Sequence, residues 1–240
     1  MNILPKWAEL LLIPLISVCL AFLLSAVIII LIGEDPISAL NLMLEGALGS
    51  SYGWGYTLYY ATNFLFTGLA VSVAFHAKLF NIGGEGQATL GGLGVAIICL
   101  SFNWPHWSIA LLASILGAMT FGALWSLIPA YLQAKRGSHI VITTIMFNFI
   151  AASLLNYLLV NVFRPDGSMD PATAKFPQTT NLPTLHDILS LFNISFSKAA
   201  PANVCFLVAV LACFVIWILI WRTRIGYEIR AFGHSEQAAE

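Results

Sequence analysis

From Leu10 to Ile32 the chain reads LLLIPLISVCLAFLLSAVIIILI, with no charged residue. A bilayer hydrocarbon core of about 30 Å is crossed by a helix of roughly 20 apolar residues, so this run is long enough to span. It follows Lys6, as the apolar region of a secretory signal would. It is nevertheless about twice the usual hydrophobic length of such a signal and lacks a small-residue cleavage site, so it reads as a first membrane span. Five further stretches approach the same requirement: Leu58 to Phe75, Gly84 to Phe102, Ile109 to Tyr131, Ile140 to Val160 and Val204 to Trp221. Between the first two spans, Ile37, Leu40, Leu44, Ala47 and Leu48 recur at helical spacing opposite Ser38, Asn41 and Glu45, the pattern of an interfacial helix or a partial re-entry.

Composition agrees with this reading. Of 240 residues 59% are hydrophobic and 9% charged, where a soluble domain carries roughly 25% charged residues. A water-soluble globule is excluded. The expected fold is all-α: a polytopic transmembrane helical bundle of about six spans plus short interfacial helices, forming one domain over residues 1–240. The net charge of -1 leaves no basic surface to hold nucleic acid by counterion release. Cys19, Cys99, Cys205 and Cys213 all fall in apolar runs without zinc or redox spacing and read as packing residues. The five histidines are scattered over ends and loops, so neither a metal site nor a cofactor is expected.

The Lys and Arg bias sets the expected orientation. Alternating span ends group Lys6, Lys78, Lys135, Arg136, Arg222, Arg224 and Arg230 against Arg164, Lys175 and Lys198. Both termini are therefore expected in the cytoplasm. The proline-rich loop 161–203 is then external, with the apolar stretch Ile188 to Phe196 as a helix on the outer surface, and residues 222–240 form a cytoplasmic segment. No ionisable residue sits in the middle of a span, which gives a proton pump or voltage sensor little support.

Several polar residues ask for more than lipid anchoring. Asn81, Gly83, Gly84, Glu85 and Gln87 open the third span, and glycines at 83, 84 and 86 allow a backbone break there, with amide groups and a positive dipole end exposed. A plain turn capped by Asn81 is the simpler account of the same residues. Gly84, Ala88, Gly92 and Ala96 recur every fourth position, a small-residue face against which another backbone can pack. Ala113 with Gly117, and Ala118 with Gly122, give two more small pairs in the fourth span. Asn63 and Thr67 share a face of the second span, as do Thr144 and Asn148 of the fifth. An amide without partners in lipid costs several kcal/mol, so these faces point at other helices or at a transported solute. Trp54, Tyr56, Tyr59 and Tyr60 fit an aromatic belt more simply than ligand stacking. Ser235 reads as a helix cap followed by Glu236, Gln237, Ala238 and Ala239, the start of a helix that docks on something.

Three ordered motifs carry a resemblance. Gly68 to Val71 through Phe80-Asn81-Ile82-Gly83-Gly84-Glu85-Gly86-Gln87, then Thr144 to Ile150, then Ile225 to Gly233, resemble permease subunits of bacterial ABC importers in the simple-sugar, nucleoside and branched-chain amino acid branch. The Asn-Ile-Gly-x-Glu-Gly-Gln form is most similar to the nucleoside members. The resemblance implies a multi-pass protein of the bacterial inner membrane with three kinds of partner: a cytoplasmic ATP-binding subunit, an external solute-binding protein and a second permease subunit, identical or related. It also implies a coupling helix, in whose positions Arg230, Gly233, Ser235, Glu236, Ala238 and Ala239 stand. Ile140 departs from the acidic residue many relatives carry, and the resemblance implies further spans beyond Glu240, so the chain is expected to be cut short.

The expected function is that of a non-enzymatic permease subunit for a neutral polar solute, a nucleoside first and a simple sugar next. Asn63, Thr67, Thr144 and Asn148 are expected along the pathway. The alternatives are an ion-gradient-driven secondary transporter or channel, and a structural membrane subunit. No ATP-binding motif and no nucleophile elbow is present in the sequence.

Overall fold

A computed structural model describes residues 8–235. The chain divides into two units, 1–57 and 58–240. In the first, a π-helical turn, Ala8–Leu12, leads into α1, Ile13–Ile32. None of the α1 residues is buried, as suits a helix whose sides meet lipid. It ends at Gly33 in the left-handed region (φ 93°), where the Gly33 and Glu34 amides close on the Ile30 and Ile29 carbonyls. Helix α2, Pro36–Leu48, forms where an interfacial helix or a partial re-entry was expected. Asp35 caps it by accepting from Ile37 N and Ser38 N, and Pro36 occupies the first turn, where no amide is needed. These bonds, the Ser38 hydroxyl's first, hold the Asp35 carboxyl below its ordinary pKa. The first turns of α3, Ser51–His76, return against α2, and Thr57 Oγ1 donates to the Ala47 carbonyl at 3.0 Å.

The second unit is built on three helices, α4 (Gly84–Ser101), α5 (Trp107–Arg136) and α6 (Ile140–Asn161). Helix α4 packs along both α5 and α6. Leu90 and Leu93 of α4 and Ala151 of α6 form the core, with Ile97, Phe121, Trp125, Leu154, Leu155 and Leu158 packed around them. Helix α5 runs 30 residues, about 45 Å at 1.5 Å per residue. It continues through Pro129 and ends at Gly137 (φ 65°).

Among the described residues, five helices, α1, α3, α5, α6 and α8 (Cys205–Arg222), are long and apolar enough to cross a membrane. The third expected span, α4, is not among them, because Glu85, Gln87 and its glycines dilute its hydropathy. Enclosure supplies the reason: six α4 residues are buried, the most of any helix here, and a helix wrapped by others has no need of a lipid-grade surface.

Two expectations are corrected. The close face of α4 is not the one through Gly84, Ala88, Gly92 and Ala96. A Cβ on Gly84 or Gly92 would meet open space, whereas one on Gly94 would lie 2.7 Å from the Gly117 carbonyl and one on Gly91 3.4 Å from that of Ala118. Helix α5 does use its expected small residues, Gly117 and Ala118, for this apposition. The α-helix of loop 161–203 is α7, Leu185–Ser190, rather than Ile188 to Phe196. A capping box fixes its start, with Thr184 accepting from Asp187 N and Asp187 accepting from Thr184 N, and Asn193 (φ 57°) turns the chain after it. A helix that the sequence reading did not place precedes Ser235: α9, Arg224–His234, with Ser235 in extended backbone just beyond its end, and the helix expected to start from Ser235 falls on residues outside the described ones. Glu236, Ala238 and Ala239 lie outside the described residues.

Candidate functional site

The expected broken-helix residues and the α6 pair come together at the start of α4. Helix α3 ends in a Schellman turn, with Lys78 left-handed (φ 55°) and Leu79 N bonded to the Ala74 carbonyl. A short irregular segment then leads to Gly83, the residue before the first turn of α4. The first amides of any helix have no intrahelical acceptor, and a side chain at the N-cap ordinarily supplies one. Glycine has none to offer. Here the cap comes from another helix: Asn148 of α6 accepts from Gly86 N at 2.9 Å through Oδ1, and its Nδ2 donates to the Ile82 carbonyl at 2.9 Å.

Thr144, one turn earlier on α6 and 1% exposed, accepts from Ile82 N at 3.3 Å and donates to the Ile140 carbonyl at 2.8 Å. Asn81 Oδ1 accepts from Gly83 N at 2.8 Å, and Gln87 N makes the first helical bond to the Gly83 carbonyl. Backbone groups of 82–86 are thus held by two side chains sixty-odd residues away. Close approach makes this possible. A Cβ on Gly86 would lie 2.9 Å from Asn148 Oδ1, 3.0 Å from Trp125 Nε1 and 3.2 Å from the Asn148 Cα. Glu85 is exposed in the first turn, where its charge complements the helix dipole.

Asn63 and Thr67 are brought together with each other on α3 but not with this cluster. Thr67 Oγ1 donates to the Asn63 carbonyl at 3.1 Å, and no hydrogen bond among the described residues joins the pair to α4 or α6. Trp125, which sequence reasoning passed over, packs edge-on against Phe147 with ring centroids 5.4 Å apart, and its indole N–H is buried without an acceptor among the described residues. A cavity lined by Leu93, Ala96, Ile97, Leu100 and Phe163, with Ser101 and Thr173 as its polar residues, is mostly apolar and offers a polar solute little.

Of the expected coupling residues, Arg230 and Gly233 lie on α9 and Ser235 follows its last turn. Thr223 joins two helices: its Oγ1 donates to the Leu219 carbonyl at the end of α8 and accepts from Gly226 N at the start of α9. Arg230 lies over the Trp221 ring at 4.6 Å, and Trp221 meets His76 edge-on at 6.0 Å. Gly233 packs against the His76 carbonyl so closely that no side chain fits between them. Gly233 therefore seats α9 on the end of α3, while Arg224, Ile225, Tyr227 and Glu228 are left exposed. The signal for α9 was present in the sequence, as Thr223 at the cap and Ile225, Ile229 and Phe232 at helical spacing.

Comparison with known proteins adds the family. The family described as branched-chain amino acid transport system / permease component matches residues 53–240. A guanosine ABC transporter permease of Bacillus subtilis (strain 168) is 32% identical over 96% of this chain and 63% of its own length. A nucleoside ABC transporter permease of Lactococcus lactis subsp. cremoris is 33% identical over 95% of this chain and 62% of its own length. A glucose ABC transporter permease of Haloferax volcanii is 32% identical over 94% of this chain and 59% of its own length. The chain thus spans about three fifths of the length of these curated relatives. No solved structure matches it. With a helical bundle of membrane-crossing length and a family match over most of its residues, the chain belongs to the permease components of the branched-chain amino acid transport system family and is a multi-pass membrane protein.

Proposed function

We propose that this chain forms the membrane pathway of an ATP-driven importer for a neutral polar solute, a nucleoside first and a simple sugar next. The family match over residues 53–240 carries the reading, and similarity to permeases named for guanosine, nucleosides and glucose supports the solute class. The membrane-crossing helices hold their charges at their ends, as suits a solute that brings no charge of its own into low dielectric. Asn63 and Thr67 of α3 offer amide and hydroxyl groups to the solute. Thr144 and Asn148 line the same route and brace the segment 81–87 that shapes its wall.

The chain is a pathway and a lever rather than an enzyme. An ATP-binding subunit on the cytoplasmic side supplies the energy, an external solute-binding protein delivers the solute, and a second permease subunit, identical or related, completes the gate. The Lys and Arg bias puts both termini inside, so loop 161–203 faces the binding protein. Helix α9 and the residues after it, with Arg230, Gly233, Ser235, Glu236, Ala238 and Ala239, face the ATPase. The test is reconstitution with candidate ATP-binding and solute-binding partners, measuring ATP hydrolysis over a panel of nucleosides, sugars and amino acids. Stimulation by nucleosides is the expected result. Hydrolysis indifferent to every solute rejects the reading.

A further inference from the structure

The Asn148 amide and the Trp125 indole flank a single point in space, the place where a Gly86 Cβ would sit, at 2.9 and 3.0 Å from it. One of these groups is engaged: Asn148 Oδ1 accepts from Gly86 N at 2.9 Å. The other is not, since Trp125 Nε1–H is buried and finds no acceptor among the described residues. A buried donor left unmatched is costly, and in a native structure it asks for an explanation. Gly86, having no side chain, leaves the space between the two groups clear.

We propose that Asn148 is a latch on the start of α4 and that Trp125 is its second seat. In the state described here Asn148 Oδ1 holds Gly86 N, and Nδ2 holds the Ile82 carbonyl. When the 82–86 segment moves away from α6, Oδ1 turns from the Gly86 amide to the Trp125 indole N–H. Each state then satisfies Oδ1, and the unmatched donor changes from the indole to the Gly86 amide, which faces the space vacated by the segment. An amide oxygen can accept from two donors at once, but with Gly86 N held on Oδ1 the indole N–H stays unmatched, so the two seats are taken in turn. Phe147, stacked edge-on against Trp125, keeps the indole in place for the exchange. Asn148 is on this reading a positioning residue for the pathway wall. The proposal rests on the transport reading only for the purpose of the motion, not for its existence.

Backbone hydrogen exchange at the Gly86 amide, measured residue by residue in nanodiscs with no solute and no ATPase, tests it. Trp125→Phe keeps the ring and removes the N–H, so it abolishes the second seat and relieves the unmatched donor of the latched state. The expected result is exchange at Gly86 slowed about fivefold, the worth of one net hydrogen bond. A merely structural Trp125 gives the opposite sign, since loss of packing speeds exchange. Asn148→Leu removes the latch, and Gly86 exchange is expected to rise at least tenfold while the core amides around Leu93 stay protected. Unchanged or faster exchange in Trp125→Phe overturns the second seat, and unchanged exchange in Asn148→Leu overturns the latch. Failure of every solute to be transported would reject the proposed function and leave these exchange results as they are.

Discussion

Gly92 and Gly94 sit two residues apart on α4 and meet opposite surroundings, which makes the pair a controlled test of how α4 is seated. A Cβ on Gly92 meets nothing within 4 Å, whereas one on Gly94 would lie 2.7 Å from the Gly117 carbonyl and 2.9 Å from the Phe121 ring. Backbone cannot swing aside as a side chain does, so Gly94→Ala must push α5 away or strain α4. Overpacking of this kind costs about 1–3 kcal/mol. In both variants alanine improves helix propensity by about 1 kcal/mol. Gly92→Ala should then stabilise by up to about 1 kcal/mol, and Gly94→Ala should fall below Gly92→Ala by about 1–3 kcal/mol, a difference in which the propensity term cancels. SDS-induced unfolding in mixed micelles measures that difference. Gly117→Ala adds a check from the facing helix. Its Cβ would approach the Gly94 carbonyl at 3.1 Å, so the double variant should cost less than the two singles together, because α5 is displaced only once. Equal stability of Gly92→Ala and Gly94→Ala would refute the α4–α5 apposition.

Three other outcomes follow from the geometry. Gly233→Ala should detach α9 from the end of α3, because its Cβ collides with the His76 carbonyl; faster exchange of α9 amides with the spans still inserted is the expected result, and unchanged α9 protection contradicts it. Thr223→Val keeps the shape and loses both cap bonds, so α9 should fray with a loss of about 1 kcal/mol, read from proteolysis of residues 224–234. Thr184 N and Oγ1 hold the Asp187 carboxyl below its ordinary pKa, so the α7 cap contributes fully above the unfolded carboxylate pKa and is lost as pH falls through the lowered folded value. Protease sensitivity of the 183–204 loop should rise on acidification in the wild type, and Asp187→Asn should be sensitive at every pH.

The membrane class and most of the spans were legible in the sequence, because hydrocarbon demands length and apolarity of each segment separately. The segment Asn81 to Gln87 was legible as a point where the backbone can break before a helix, since three glycines there permit conformations that other residues resist, though a turn capped by Asn81 fitted the same residues. What holds those amides was not. Asn148 donates to a carbonyl 66 residues away, and an amide in a span reads equally well as a solute ligand or as a brace until its partner is seen. The same limit applied to α4: several glycines offered two possible close faces, and which one α5 meets depends on a crossing that no single-helix pattern fixes. Helix α9 was missed for a different reason. Eleven residues with charges at Arg224, Glu228 and Arg230 look like a solvated tail unless Thr223 is seen as a cap for two helices at once.

The most direct measurement is uptake of labelled nucleoside into proteoliposomes holding this permease with its ATP-binding and solute-binding partners, with ATP inside or withheld and with ion gradients collapsed by ionophores. ATP-dependent uptake that survives collapse of every gradient is the expected result. Uptake without the ATP-binding subunit, or uptake that vanishes with the gradients while ATP remains, contradicts a gate driven by a separate ATPase.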